Sequence, residues 1–238
     1  MKANLIRKNL RKCIAMMLLS ALVCPTLTVA AKDAPKTIVI DPSCQLKATK
    51  GTESIAPGAF STTAANSAGT KGKATGYKEC EMNLQIALKL EDILTDMGYD
   101  VLITRDENDV NMSNSDRAMI ANEADADLFI VIAAGNTKGT TVICQSDENP
   151  YNYGNYERSR LLSDAVLGSV VQKTNSHNNG VEEMDDKPII NWCACPTTIV
   201  QVGNLQDKDE EELLVDDEYQ KIIAEGIAAG IQSYYSQR

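Results

Sequence analysis

Residues 36–45 read KTIVIDPSCQ, and this stretch decides the fold. Residues 37–40 form a short apolar run rich in β-branched side chains, which is typical of a buried strand in a parallel sheet. Because Pro42 cannot donate a hydrogen bond to a neighbouring strand, we expect the strand to close at Asp41-Pro42. Open α/β sheets bind ligands just beyond the carboxyl ends of their strands, which is the place of Cys44. Read alone, the same residues also fit a plain exit from strand to loop.

Further along the chain, apolar segments of helical and of strand type alternate. We predict helices at residues 79–97, 114–123, 156–174 and 216–235, and strands at 99–104, 127–134, 139–144 and 197–202. This alternation favours an α/β fold with a mainly parallel central sheet and helices on both faces, a three-layer sandwich. Residues 46–77 are rich in small and polar residues and predict a long loop, which in a compact domain is usually functional or disordered.

The first 31 residues have the pattern of a secretory signal peptide. Five basic residues flank or precede a mostly apolar segment at 13–24, and small residues at 28–31 offer a cleavage site. The apolar segment is too short to span a bilayer. We therefore expect a signal peptide at 1–31, a single domain at 32–238, and a secreted protein associated with the cell wall.

The chain is acidic, with 23 basic and 33 acidic residues and a net charge of −10. Removal of residues 1–31 takes away five basic residues and no acidic ones, so the mature chain has a net charge of −15. An acidic protein is a poor ligand for nucleic acid or for an anionic membrane. We therefore expect no nucleic-acid partner and, after signal cleavage, no membrane partner. The acidic run at 207–212 predicts a solvated helix start.

Five cysteines follow residue 31, and an odd number leaves at least one thiol free or paired between chains. The C-A-C sequence at 193–195 is not the C-x-x-C pattern of a metal or redox motif. An export signal permits disulfides without requiring them. One hypothesis pairs Cys44 with Cys80.

Several short motifs are specific through their shared order and spacing. They are DPSC at 41–44, GYDVLITR at 98–105, SNSDRAMIAN at 113–122, NPY at 149–151, INW at 190–192 and TIVQVG at 198–203. With them the chain resembles the zinc-dependent N-acetylmuramoyl-L-alanine amidases, which trim bacterial cell-wall peptidoglycan. The resemblance runs through nearly all of the mature domain.

The resemblance implies a zinc ion held by two His and one Glu, together with a second Glu that acts as general base. The first His position holds Cys44, whose thiolate is a possible zinc ligand, although an inert buried or disulfide-bonded cysteine fits as well. Glu79 matches the Glu ligand. Without the resemblance, Glu79 would be interpreted as a carboxylate in the first turn of a helix, where the helix dipole favours a negative charge. Ala133 stands at the second His position without a donor atom. Gln201 stands at the base position, where an amide has no useful basicity.

A rebuilt metal site has few candidates. The single histidine, His177, lies in a polar stretch at 175–180 and reads as an incidental surface residue. A new site from Cys44, Glu79 and Cys193 or Cys195 remains a minor alternative. We therefore expect no zinc in the protein.

Three functions compete. The favoured one is a pseudo-amidase that binds peptidoglycan or regulates an active cell-wall hydrolase. The second is an active amidase that cleaves the bond between N-acetylmuramic acid and L-alanine with a remodelled metal site. The third is a structural, partner-binding protein without affinity for peptidoglycan. Zinc content separates the first two functions, and binding to purified sacculi separates the first from the third.

Overall fold

The computed structural model describes residues 34–151 and 154–238, and the expected signal peptide at 1–31 lies outside the described residues. The strands are β1 Thr37–Pro42, β2 Thr52–Ser54, β3 Thr62–Ala64, β4 Asp100–Ile103, β5 Leu128–Ala133, β6 Thr140–Cys144, β7 Asn178–Glu183 and β8 Thr197–Gln201. The helices are α1 Glu79–Asp96, α2 Asn114–Glu123, α3 Tyr156–Thr174, α4 Pro188–Asn191, α5 Lys208–Leu214 and α6 Asp217–Ser236.

The central sheet has six strands in the order β4-β1-β5-β8-β6-β7, and β2 pairs with β3 in a separate hairpin. Neighbouring strands of the large sheet are parallel except β6, which runs antiparallel to β8. The predicted mainly parallel α/β sheet is therefore confirmed. Its central strand β5 is buried along its whole length, as expected for a strand with helices on both sides.

Side chains of successive strand residues enter two separate cores. Ile38, Ile40 and Ile130 pack with α1, α3 and α6 on one face, whereas Val39 and Phe129 pack with α2 and α4 on the other. This alternation follows from the twofold period of a β-strand. The sheet is thus the middle of three layers.

The end of β1 confirms the prediction that the strand closes at Asp41-Pro42. The strand continues through Asp41 and Pro42, which pair with β5 at Val131 and Ile132. On the other side β4 ends opposite Ile40, so the missing N–H of proline leaves no ladder bond unmade there. The ladder with β5 closes one residue later, where Ser43 donates its N–H to the carbonyl of Ile132 over 3.0 Å.

The predicted helices at 114–123 and 156–174 are confirmed, and the others differ at their ends by one residue. Three predictions from polar sequence are wrong in part. The long loop contains the β2–β3 hairpin, and the polar stretch around His177 leads into the edge strand β7. The acidic run forms α5, in which Glu211 is buried rather than solvated. Among the described residues no helix has the length and apolar character needed to cross a membrane.

Candidate active site

Two buried arginines, Arg105 and Arg117, hold the turn that follows β1. Cys44 has a left-handed backbone with φ of 57°, which is uncommon outside glycine. Arg105 donates from Nε to the carbonyls of Pro42 and Cys44 over 2.8 and 3.0 Å, and Arg117 donates to the same Cys44 carbonyl over 3.2 Å. Two backbone oxygens of the turn thus receive charged donors, and this fixes the turn.

Arg117 also forms a fully buried ion pair. Its guanidinium lies 2.8 Å from Oδ1 of Asp41, and both side chains are 0% exposed. The same carboxylate accepts a hydrogen bond from the hydroxyl of Thr104, which follows β4. We call Asp41, Thr104, Arg105 and Arg117 the clamp. Each arginine belongs to a motif on which the amidase resemblance rests, and in the structure both support the turn.

Glu79, at the start of α1, is 7% exposed and has donors on both carboxylate oxygens. Its Oε2 accepts from the N–H and the hydroxyl of Thr70 over 2.7 and 3.1 Å, and its Oε1 accepts from the N–H of Ala134 over 3.1 Å. The carboxylate therefore joins the long loop to the end of β5. In this structure it acts as a structural acceptor between two segments of backbone.

The loop covers Cys44 and Glu79 at Gly69. A Cβ added to this glycine would lie 2.8 Å from Sγ of Cys44 and 2.8 Å from Oε2 of Glu79. The sulfur of Cys44 and the carboxylate of Glu79 therefore face the same spot beside Gly69, where a side chain on residue 69 would collide with both. With φ of 71°, residue 69 also has a conformation that favours glycine. Burial raises the pKa of the Cys44 thiol, so this sulfur is held in its protonated form.

Ala133 and Gln201 lie side by side where β5 and β8 end. They are partners in the parallel register, and Val202 donates its N–H to the carbonyl of Ala133 over 3.0 Å. Since Glu79 bonds to the residue after Ala133, the chain brings the four positions to one part of the carboxyl edge. His177 lies at that edge two strands beyond Gln201, where its carbonyl accepts from Thr140.

This donor set does not fit the zinc site that the resemblance implies. A zinc ion in a catalytic site takes three protein ligands from His, Glu, Asp or Cys. Here Ala133 offers no donor, and the carboxylate of Glu79 already accepts three hydrogen bonds. Within residues 34–151 and 154–238, no group of three or more His, Cys, Asp or Glu is placed to hold a metal ion.

A groove opens beside the four positions. It consists of two adjacent cavities of about 390 and 210 Å³, which share Ser43, Thr63, Ala64 and Asn114. The larger cavity reaches Cys44 and Glu79, and the smaller reaches α4. Most of the shared side chains are small and polar, so this part of the groove offers hydrogen bonds at its surface.

The β2–β3 hairpin, which the sequence did not reveal, forms a wall of this groove. Glu53 in β2 accepts from the N–H of Asn114 and of Ser115 over 3.1 and 2.9 Å at the start of α2. Asn191 and Trp192 donate to the next two carbonyls of the hairpin, each over 3.0 Å. The INW and SNSDRAMIAN motifs were therefore the available signal, since their residues anchor a hairpin that has no strong strand pattern of its own.

The comparisons with known proteins agree with this architecture. The sequence model of the N-acetylmuramoyl-L-alanine amidase family matches residues 38–233. An endolysin of Bacillus phage SPP1 is 31% identical over 167 residues, which are 66% of this chain and 58% of the endolysin. The chain thus spans less than two thirds of that relative.

Two solved structures are similar in fold. The crystal structure of an N-acetylmuramoyl-L-alanine amidase from Clostridium difficile 630 has a TM-score of 0.69 at 25% identity, over 86% of this chain and 98% of that one. The CwlD amidase from Clostridioides difficile, solved in complex with the GerS lipoprotein, has a TM-score of 0.69 at 22% identity, over 85% and 100%. Because the family match covers most of the sequence, the chain belongs to the N-acetylmuramoyl-L-alanine amidase family.

Proposed function

We propose that this protein is a secreted, cell-wall-associated pseudo-amidase that binds peptidoglycan without hydrolysing it. One observation carries the proposal: where Glu79 meets the ends of β5 and β8, the chain holds Ala133, which has no donor atom, beside Gln201. In an active centre this spot has to admit a metal, a water and the amide to be cleaved. Here Cys44 and Glu79 line an open cavity of about 390 Å³, but Ala133 adds no ligand and Gln201 adds no base.

The loss of zinc is part of the same proposal. Two of the positions implied by the resemblance hold Cys44 and Ala133, and the third, Glu79, is committed to the N–H groups of Thr70 and Ala134. Without a metal, no protein group in this set lowers the pKa of a water to neutral pH. Gln201 adds no base, because its amide does not accept a proton at neutral pH.

Peptidoglycan remains the favoured ligand because of the groove and the family. The groove is open at Cys44 and Glu79, and Ser43, Thr63 and Asn114 line both of its cavities. Hydroxyl and amide groups on a rigid frame suit a sugar-peptide polymer, which carries amide and hydroxyl groups itself. The names of the relatives refer to the bond between N-acetylmuramic acid and L-alanine, and this favours a wall fragment as occupant.

A protein partner is the second candidate. CwlD is an amidase of the same fold in complex with a lipoprotein, so this fold offers a surface on which another protein docks. A pseudo-amidase of this kind would regulate an active cell-wall hydrolase by contact rather than by chemistry.

Metal content and turnover test the loss of catalysis. The purified domain at 32–238, dialysed against zinc-free buffer, should contain far less than one zinc per chain and should release no peptide from peptidoglycan. An active family member purified in parallel serves as the positive control. Stoichiometric zinc that survives dialysis, together with turnover, would establish the remodelled amidase instead.

Sacculus binding tests the groove. Thr63→Trp places a large ring in both cavities and should reduce retention on purified sacculi by about tenfold, the effect of losing roughly 1.4 kcal/mol of binding. The matched control is Thr62→Trp, because Thr62 precedes it in β3, is exposed and lines neither cavity. If the native domain is not retained at all, the partner-binding function replaces this one.

A further inference from the structure

A pair of cysteines lies at the opposite end of β8 from Gln201 and the candidate active site. Cys193 and Cys195 lie in the bend between α4 and β8, and their sulfur atoms are 3.4 Å apart. Cys193 is 2% exposed, whereas Cys195 is half-buried and lines a surface cavity of about 190 Å³ next to the end of α2. Cys195 is thus the more accessible residue of the pair.

Side-chain amides hold this bend in place. Asn122 of α2 donates to the carbonyl of Trp192 over 2.9 Å and accepts from the N–H of Ala194 over 2.8 Å. Asn155, just before α3, donates to the carbonyl of Ala194 over 2.8 Å. The backbone on which both thiols stand is therefore fixed by bonds to two other elements. The short separation of the sulfur atoms is a product of this frame.

The pair lacks the ligands of a metal site. In the part of the chain that the structure describes, no third His, Cys, Asp or Glu joins the two thiols in a group that could hold a metal ion. A site for a tetrahedral metal such as zinc needs three or four ligands from the protein. Two facing thiols alone are suited instead to the formation of a covalent bond between them.

The thiols of the pair also differ in acidity from the other cysteines. The pKa of Cys193 is lowered, chiefly because Cys195 donates a hydrogen bond to its sulfur, and the same bond raises the pKa of Cys195. Burial raises the pKa of Cys44 and of Cys80, and it raises the pKa of Cys144 to about 11. Since the thiolate is the reactive form, the pair is the favoured place for thiol chemistry in this domain.

We infer that Cys193 and Cys195 form a thiol–disulfide exchange site that is oxidised by low-molecular-weight disulfides. The pair first loses one proton, and the proton that remains moves along the 3.4 Å contact from Cys195 to Cys193. Cys195 then attacks a disulfide RSSR as the thiolate, which forms a mixed disulfide and releases RS⁻, protonated to RSH. Cys193 then loses its proton, attacks the Cys195 sulfur and releases the second RSH. The pair gives up two protons and two electrons in total, and RSSR takes them up as two thiols. The sulfur atoms approach from 3.4 Å to a bond length of about 2.0 Å.

Trp192 is a built-in reporter of this reaction. It is the only tryptophan of the sequence, it directly precedes Cys193, and its indole N–H donates to the carbonyl of Ser54 over 3.0 Å. A disulfide formed next to the indole should change its emission, and a shift of the bend should change its contact with the β2–β3 hairpin. The redox state of the pair is thus measurable in the folded protein.

The experiment equilibrates the purified domain with mixtures of reduced and oxidised glutathione, follows Trp192 emission, and blocks free thiols with iodoacetamide before trypsin digestion. Cys193 and Cys195 fall in one tryptic peptide, residues 174–208, because Lys187 is followed by proline. This peptide should lose two hydrogen atoms and escape alkylation in oxidising mixtures. Cys144, alone in peptide 139–158, serves as the internal control and should remain a free thiol.

Two variants assign the roles of the sulfur atoms. Cys193→Ser should leave Cys195 carrying one glutathione, since the second thiol is missing, and Cys195→Ser should show neither the adduct nor the emission change. If either variant fails to fold, the mass of the native 174–208 peptide still decides the matter. Complete alkylation of both cysteines in the folded native protein, after equilibration with oxidised glutathione alone, would overturn the inference.

Discussion

The turn after β1 separates two regions of the molecule. One is the buried clamp, and the other contains the four positions of the zinc site that the resemblance implies. Beneath the turn, the clamp retains the acidic and basic groups of the family-like motifs, and its ion pair is fully buried. Above the turn, Cys44, Ala133 and Gln201 stand where the resemblance implies histidines and a glutamate. We call these three residues, together with Glu79, the upper region. Fold and chemistry thus depend on different residues of the same motifs, although these residues are neighbours in sequence.

A physical asymmetry explains the difference. A change in the clamp leaves a charge buried without its partner, which costs far more than the loss of one hydrogen bond. A change above the turn introduces neutral side chains, and the local backbone satisfies Glu79, the one charge that remains. The upper region is therefore free to lose its chemistry while the fold persists.

Breaking the clamp should have the largest effect. Arg117→Ala leaves the carboxylate of Asp41 buried and unpaired, so we expect the free energy of unfolding to fall by about 3–5 kcal/mol. The control is Arg160→Ala on α3, where the same change breaks an exposed pair with Asp164 and should cost about 1 kcal/mol or less. Urea denaturation measures both variants. Equal losses in the two variants would refute the special role of the clamp.

Glu79→Gln should have an intermediate effect. The glutamine amide has one acceptor oxygen for the donors that now occupy two, and its NH₂ group meets a backbone N–H from Thr70 or Ala134. We expect a loss of about 1–3 kcal/mol, typical of a buried donor left unsatisfied. Glu81→Gln, in the same first turn but in a partly exposed pair with Lys78, is the matched control and should change stability by less than about 1 kcal/mol. A neutral Glu79→Gln variant would mean that the carboxylate is not a structural acceptor.

The two regions also differ in how much of them was predictable from sequence. The apolar runs of β1 and β5 and the helical spacing of apolar residues in α3 were enough to predict the sheet and its helices. The positions of the motifs that resemble the amidase family identified the candidate site residues. What the sequence could not supply was the course of the long loop, because its shortest bond to Glu79 comes from the backbone N–H of Thr70, and a backbone N–H leaves no mark in a sequence. The hairpin was missed for a related reason: short strands such as Thr52–Ser54 are held by Glu53 and Trp192 rather than by a pattern of their own.

Restoring the implied metal ligands tests whether the positions above the turn form one metal centre. Cys44→His with Ala133→His restores the ligand types that the resemblance implies, and we expect zinc binding at micromolar concentrations. The larger side chain at 44 presses on Gly69, so the metal-free variant should lose about 1–3 kcal/mol through overpacking. Zinc should recover stability, because a ligand that binds the folded state stabilises it. Melting curves with zinc or with chelator measure this, and Ala133→His alone is the control. A double variant that folds yet binds no zinc would show that these positions do not form the centre.

Gln201→Glu alone should have the smallest effect of all. Gln201 lies at the end of β8 and is partly exposed, so a carboxylate there remains in contact with solvent and should change the free energy of unfolding by no more than about 0.5 kcal/mol. It should also produce no turnover of peptidoglycan, because a general base needs an activated water to deprotonate and no group in the native site activates one. When it is combined with Cys44→His and Ala133→His, the same substitution should increase the rate of peptidoglycan release. Its effect on activity then depends on zinc being present, and a peptidoglycan release assay on all four combinations measures that dependence. Turnover by Gln201→Glu in the otherwise native chain would mean that the upper region still holds a working centre, and the contrast between the two regions would fail.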